Sequence, residues 1–300
     1  MRRAAPSILA ERLAETGFAI RSIDPATGGV VATAGLVTLE DGRRVFAKTL
    51  PDVGDDIFVV EASGLQDLRR LGGVRTPTVL CVTGHLLVLE QLRPRPDADA
   101  GFWERLGQTV ARLHTSTVAE RFGWHRDGWL GRLRQHNGWS DDGHAFFAQY
   151  RILRWLTEPL VEAAFDREDR AALERLCVAL PDLVPAQRPC LTHGDLWREN
   201  ILADDDGCPA LIDPAASYTW AEVDLSMLWS TPRPAAADRF FGAYAEHAPL
   251  APGWKDRMPV LHLRELLCVI AHGDDDWGAA NLVRKTIAPH RHRSTGEGGL

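Results

Sequence analysis

Apolar residues along this chain follow two periods, and the change falls near residue 92. Before it, a helix-like run ends at Gly17 and short apolar segments follow in pairs. Leu36-Val37-Thr38-Leu39 and Val45-Phe46-Ala47-Lys48 flank an Asp41-Gly42 turn signal, which predicts a β-hairpin whose second strand ends at Lys48. Ile57, Val60, Gly64, Leu65, Leu68 and Leu71 recur at helical spacing. Residues 79–82 and 85–90 read as two more strands, ended by Arg93-Pro94-Arg95-Pro96. Beyond residue 100 the helical period dominates: Leu106, Thr109, Val110, Leu113 and His114 make one stripe, and a longer helical region covers about 141–180 with breaks near Pro159 and Asp166. Residues 201–212 hold two short apolar runs around Asp206-Gly207, a second hairpin. A helix opens at Ala221, and two more are expected up to about Ile287. The pattern predicts an α+β chain, with a small antiparallel-sheet lobe carrying one or two helices over 1–92 and a larger, mainly helical lobe over 93–300.

One charge breaks the pattern. Glu61 lies on the apolar stripe of the helix after the hairpin, and a carboxylate facing a core needs a partner because leaving it desolvated and unpaired costs several kcal/mol, roughly. Lys48 is the candidate. His114 also sits on an apolar face, where a hydrogen-bonded core role is expected.

Composition removes several classes of function. The formal charge of −7 comes without a long basic block except at Arg284-Lys285 and Arg291-His292-Arg293, which argues against nucleic acid as a partner. No segment approaches the roughly 18 uninterrupted apolar residues of a membrane helix, and the apolar run after Met1-Arg2-Arg3 is short for a signal peptide. Five scattered cysteines without a C-x-x-C pair fit a reducing cytoplasm and suggest neither a disulfide framework nor a zinc site. An acidic surface leans toward a cationic small-molecule acceptor. The sequence leaves the oligomeric state open.

The chemistry concentrates in His193-Gly194-Asp195-Leu196-Trp197-Arg198-Glu199-Asn200, followed by Ile212-Asp213-Pro214. A kinase needs one carboxylate aimed at the acceptor hydroxyl, and an amide oxygen and a second carboxylate aimed at a metal on ATP's phosphates. Asp195, Asn200 and Asp213 supply that set, with the Asp-to-Asn spacing of a protein-kinase catalytic loop. The intervening hairpin would return Asp213 beside Asn200. Lys48 and Glu61 would clamp phosphates, and Glu90-Gln91-Leu92 would offer backbone groups to adenine.

Through His193 to Asn200, Asp213-Pro214-Ala215 and Glu222-Val223-Asp224-Leu225, the chain resembles the fructosamine kinase (ketosamine-3-kinase) family, within the aminoglycoside-phosphotransferase and protein-kinase-like superfamily. The resemblance extends to Phe122-Gly123-Trp124-His125-Arg126-Asp127 and Gly138-Trp139-Ser140-Asp141-Asp142, and covers about residues 15 to 285. It implies a two-lobe kinase-like fold and an ATP- and Mg²⁺-dependent transfer to a hydroxyl of a sugar-derived amine. Asp195 would be the catalytic base, Asn200 and Asp213 the magnesium ligands, Lys48 and Glu61 the phosphate clamp, Trp197 part of the acceptor site, and Asp224 a support for the loop. Arg198-Glu199 stand where relatives carry small residues, and Gly28-Gly29-Val30-Val31-Ala32, at the place of their phosphate loop, lacks the polar residues after the Gly pair, while Gly28 and Gly29 would still let backbone N–H groups approach phosphate. Two other readings stay open: phosphorylation of an aminoglycoside or another cationic metabolite, and a nucleotide-binding pseudokinase.

Overall fold

The computed structural model describes residues 5–26, 32–50 and 56–291. After helix α1 (Ala5–Glu15), strands β1 (Ile20–Pro25), β2 (Thr33–Leu39) and β3 (Arg44–Thr49) precede helix α2 (Ile57–Gly72), and β4 (Val79–Val82) and β5 (Leu86–Glu90) complete a five-stranded antiparallel sheet of order β1-β2-β3-β5-β4. Side chains alternate across it with the period of two that a strand imposes. Val45 and Ala47 join Leu9, Leu13, Val37 and Val88 on the α1 face, whereas Leu87 and Leu89 pack with Phe58, Ala62 and Leu65 of α2 on the other. Lys48, one residue beyond Ala47, therefore points to the α2 face.

The remainder is mainly helical. Helix α3 (Ala100–Ser116), capped by Asp99 accepting from Gly101 N–H at 2.8 Å, packs on α8 (Asp238–His247) in the large core that also holds Trp103, Trp155, Trp220 and Phe240. The hairpin β6–β7 (Gly128–Leu130 and Leu133–Gln135) reaches α2. The anticipated region of broken helix resolves into α4 (Gly143–Phe147), a π and a 3-10 turn, α5 (Pro159–Ala164) and α6 (Arg167–Leu183). Pro159 occupies the first turn of α5 and Asp166 caps α6, so both predicted breaks are helix starts. Strand β8 (Cys190–Thr192) pairs with β11 (Ser217–Thr219), and between them lies the hairpin β9–β10 (Ile201–Ala203 and Pro209–Leu211).

After α7 (Ala221–Ser230) the sequence suggested two helices, and the described residues form four α-helices: α8, α9 (Trp254–Leu261), α10 (Leu263–His272) and α11 (Ala279–Ile287). Gly253, Gly273 and Gly278 adopt positive φ at three of the helix ends. The division between α9 and α10 falls at His262, three residues after Pro259, which lies inside α9.

Candidate active site

The pairing of β8 with β11 straps the two chemical loops together. His193 follows β8 and is fully buried. Its Nδ1 accepts from Asp195 N–H at 3.2 Å, and its Nε2–H donates to Ile212 O at 2.9 Å, so one ring spans the loop of Asp195 and the loop of Asp213. Burial pushes the imidazole pKa below its ordinary value despite the nearby Asp224 charge, which favours the neutral form that this bonding needs. Asp224, on α7 and wholly buried, accepts from His193 N–H at 2.7 Å, Gly194 N–H at 2.8 Å and His114 Nε2–H at 3.1 Å. His114 thus has the core role its position suggested. Gly194 is required twice over: its φ is +79°, and an added Cβ would lie 2.2 Å from Ala215 O.

Asn200 donates from Nδ2 to both Asp195 O (2.9 Å) and Asp195 Oδ2 (2.8 Å). This turns its amide nitrogen to the loop and leaves its carbonyl oxygen as the free ligand atom. Ile212 N–H bonds Asn200 O at 3.1 Å, bringing the residue before Asp213 to Asn200 as the hairpin predicted. Asp213 has φ +57° and is the one non-glycine residue with positive φ among the described residues. Aspartate tolerates that left-handed conformation better than most side chains, and backbone strain of this kind clusters at functional sites.

Lys48 Nζ lies 2.6 Å from Glu61 Oε2 and 2.9 Å from Asp213 Oδ1, although 165 residues separate Lys48 from Asp213. The strand period aims Lys48 at α2, and the apolar stripe of α2 aims Glu61 back. Burial opposes the lysine's charge, but the Asp213 and Glu61 carboxylates outweigh it and raise its pKa. Burial and the Asp213 charge push Glu61 up to about 8 against the pull of Lys48. Asp213 stays below the usual carboxylate range because the Lys48 charge overcomes burial. Its side chain remains half-exposed, at 54%, and open to a ligand.

Two contacts outside the sequence expectations hold α2 in place. A Cβ on Gly64 would lie 3.0 Å from Pro214 Cγ, so the helix sits directly on the Asp213-Pro214 turn. At the start of α2, Asp56 is clasped by Arg126 (2.7 Å), Arg134 (2.9 Å) and Trp129 Nε1–H (3.1 Å), with the Arg134 guanidinium 3.9 Å from the Trp129 ring centroid. Asp56→Asn therefore loosens the placement of Glu61: faster deuterium uptake across residues 57–72 is expected, with a stability loss of about 1 kcal/mol typical of partly exposed ion pairs. Unchanged exchange in α2 would show that the clasp is idle.

The remaining candidates fall differently. Gly28 and Gly29 lie outside the described residues. The expectation at Glu90 concerned backbone groups, and its side chain is engaged within the small lobe. It bonds Arg75 and accepts from Thr78 N–H at 2.9 Å, and these contacts overcome burial to hold its carboxyl at about 2. Only the backbone of the segment through Leu92 keeps the candidacy. Trp197 is half-buried; its N–H bonds Asp195 O and its carbonyl accepts from Asn200 N–H, both at 3.0 Å. Trp220 is buried core and Trp129 serves the clasp. Sequence reasoning missed His193 as the bridge between the loops, although a histidine flanking the Asp195 turn was visible.

Among the described residues no cluster of three or more His, Cys, Asp or Glu side chains could hold a metal by itself. The Asn200 and Asp213 oxygens nevertheless suit a hard divalent cation that takes its other ligands from phosphates and water.

The chain is similar to known proteins along most of its length. The fructosamine kinase family profile matches residues 3–284. An Enterococcus faecium relative named "Probable ketoamine kinase" is 32% identical over 262 residues, covering 85% of this chain and 91% of the relative. A chloroplastic protein-ribulosamine 3-kinase of Oryza sativa subsp. indica is 27% identical over 250 residues, covering 79% of this chain and 70% of the relative. A Thermobifida fusca crystal structure assigned as a fructosamine-3-kinase superposes with a TM-score of 0.81 at 33% identity, over 96% of this chain and 98% of that one. A match that runs through the sheet, both chemical loops and the closing helices establishes that the chain belongs to the fructosamine kinase family of phosphotransferases.

Proposed function

We propose that this chain uses ATP and Mg²⁺ to phosphorylate a hydroxyl of a sugar-derived amine, with ketosamines as the acceptor class. The observation that carries the reading is Lys48 held between Glu61 and Asp213, beside a loop in which Asn200 grips Asp195. In this reading Lys48, steadied by Glu61, holds the α- and β-phosphates. The acceptor oxygen bonds to the γ-phosphorus as the bond to ADP breaks, and its proton passes to Asp195. Asn200 and Asp213 would hold Mg²⁺, whose charge offsets that of the transferring group. The backbone at Glu90 and Leu92 would meet adenine, Gly28 and Gly29 would cover phosphate, and Trp197 would wall the acceptor. Residues 1–92 would form the nucleotide lobe and 93–300 the acceptor lobe. The names of the Enterococcus and rice relatives support the acceptor class. Five free cysteines support a reducing cytoplasm.

The test is a magnesium-dependent ATP-consumption screen across ketosamines, amino sugars and aminoglycosides. Consumption with fructosyl-amines is expected. Transfer to aminoglycosides alone, or tight ATP binding without transfer to any acceptor, would overturn the proposal. Asp213→Ala should weaken calorimetric ATP binding in magnesium by at least about tenfold, since even outer-shell partners of a metal contribute that much. Without magnesium the two proteins should bind ATP more alike.

A further inference from the structure

The segment Arg93-Pro94-Arg95-Pro96 follows β5 and closes the strand pattern of the amino-terminal part. Arg93 and Ala203 exchange two backbone hydrogen bonds, from Arg93 N–H to Ala203 O at 2.8 Å and from Ala203 N–H to Arg93 O at 3.0 Å. The segment is thereby paired with β9, which starts directly after Asn200. Pro94 and Pro96 have a fixed φ and restrict the residues before them, so the backbone that carries Arg95 is stiff.

The Arg95 side chain is only 7% exposed. Its Nη1 donates to Arg198 O and, at 3.1 Å, to Ile201 O. Its Nε donates to Asp97 Oδ1 at 2.5 Å, and the guanidinium lies 5.6 Å from the centroid of the Trp103 ring. Trp103, fully buried on α3, donates from Nε1 to Asp97 O at 3.1 Å, so the carboxylate and the ring that hold Arg95 are themselves joined. Arg198 O and Ile201 O bracket Asn200. The turn Arg198–Asn200 is 3-10, a geometry with poor internal hydrogen bonds, and charge-assisted bonds to the carbonyls at its close steady it from outside.

We propose that Arg95 is a positioning residue for Asn200. It fixes the turn from which Asn200 presents its carbonyl oxygen, and it ties that turn to the segment whose backbone would meet adenine. The inference rests on the reading of Asn200 as a magnesium ligand.

Arg95→Met keeps most of the stem and removes the donors. In calorimetric titrations its ATP binding in magnesium should weaken by about tenfold or more, as expected for an outer-shell partner of a metal ligand. Binding without magnesium should stay near that of the parent, and Arg95→Lys should recover part of the loss. A lower Tm with parental ATP binding in magnesium would make Arg95 a structural residue alone and overturn the proposal. Asp97→Asn, which loosens the guanidinium without removing it, serves if Arg95→Met does not fold: a smaller loss confined to magnesium-dependent binding supports positioning, and no loss overturns it. Asn200→Ala tests the metal assignment separately. If that variant binds ATP in magnesium as the parent does, the assignment fails by itself, and deuterium uptake across residues 195–203 decides Arg95. Faster uptake in Arg95→Met or Asp97→Asn retains the positioning role, and parental uptake in both removes it.

Discussion

Asp195→Asn lowers turnover by about 10²- to 10⁴-fold, the range that general-base catalysis contributes, with ATP affinity and thermal stability close to those of the parent. The separation follows from the geometry. Asn200 Nδ2 can still donate to an amide oxygen at position 195, and the loop remains tethered through Asp224 and His193. The Lys48–Glu61 contact lies on the sheet side and does not involve Asp195. What disappears is the group that can take the hydroxyl proton. Steady-state kinetics, an ATP titration and a melting curve on one preparation check the three quantities together, and parental turnover in the variant would exclude Asp195 as the base.

Asp224→Ala has the larger effect on stability. It removes the acceptor for two backbone N–H groups and for His114 Nε2, all buried. Breaking such a network costs about 3–5 kcal/mol. In a chain of this size, that should lower Tm by roughly 2–4 °C per kcal/mol. Turnover should fall as well, because His193 and Gly194 set the position of Asp195. Asp224→Asn should lie between, keeping one acceptor oxygen and placing an NH₂ against a donor.

The pH dependence has a definite sign. Burial resists ionisation of Asp224, but the hydrogen bond and charge of His114, together with the Gly194 N–H, outweigh it and keep the folded pKa below the usual carboxylate value. The unfolded chain therefore binds the proton first on acidification. The stability gap between parent and Asp224→Ala is full at neutral pH and narrows as the pH falls below about 4. Urea denaturation at several pH values measures it, and a gap that widens in acid would contradict the assigned ionisation.

Much of the site was legible because its signals are local or periodic. The spacing of Asp195, Asn200 and Asp213 is written along one hairpin, and hairpin geometry returns the chain to its start. Glu61 on an apolar stripe announced that something must neutralise it, and the alternation of β3 put Lys48 on the matching face. The direction of the Glu90 side chain was not legible, because a polar residue at a strand end carries no indication of where it turns; Arg75, packed nearby, decided that. The division of α9 from α10 was marked by Pro259, but one proline inside a helical stretch does not say whether the helix kinks or ends there.

The sequence by itself determined the periods of the elements, the family loop and the need for a Lys48–Glu61 pair, because propensity, turn chemistry and desolvation act over a few residues or on a single side chain. Only the tertiary structure decided that His193 bridges two loops and that Asp56 is clasped by Arg126, Arg134 and Trp129. Those contacts join residues far apart in sequence. Which long-range partners meet is fixed by how helices and sheet pack, a property of the whole core that no local pattern encodes.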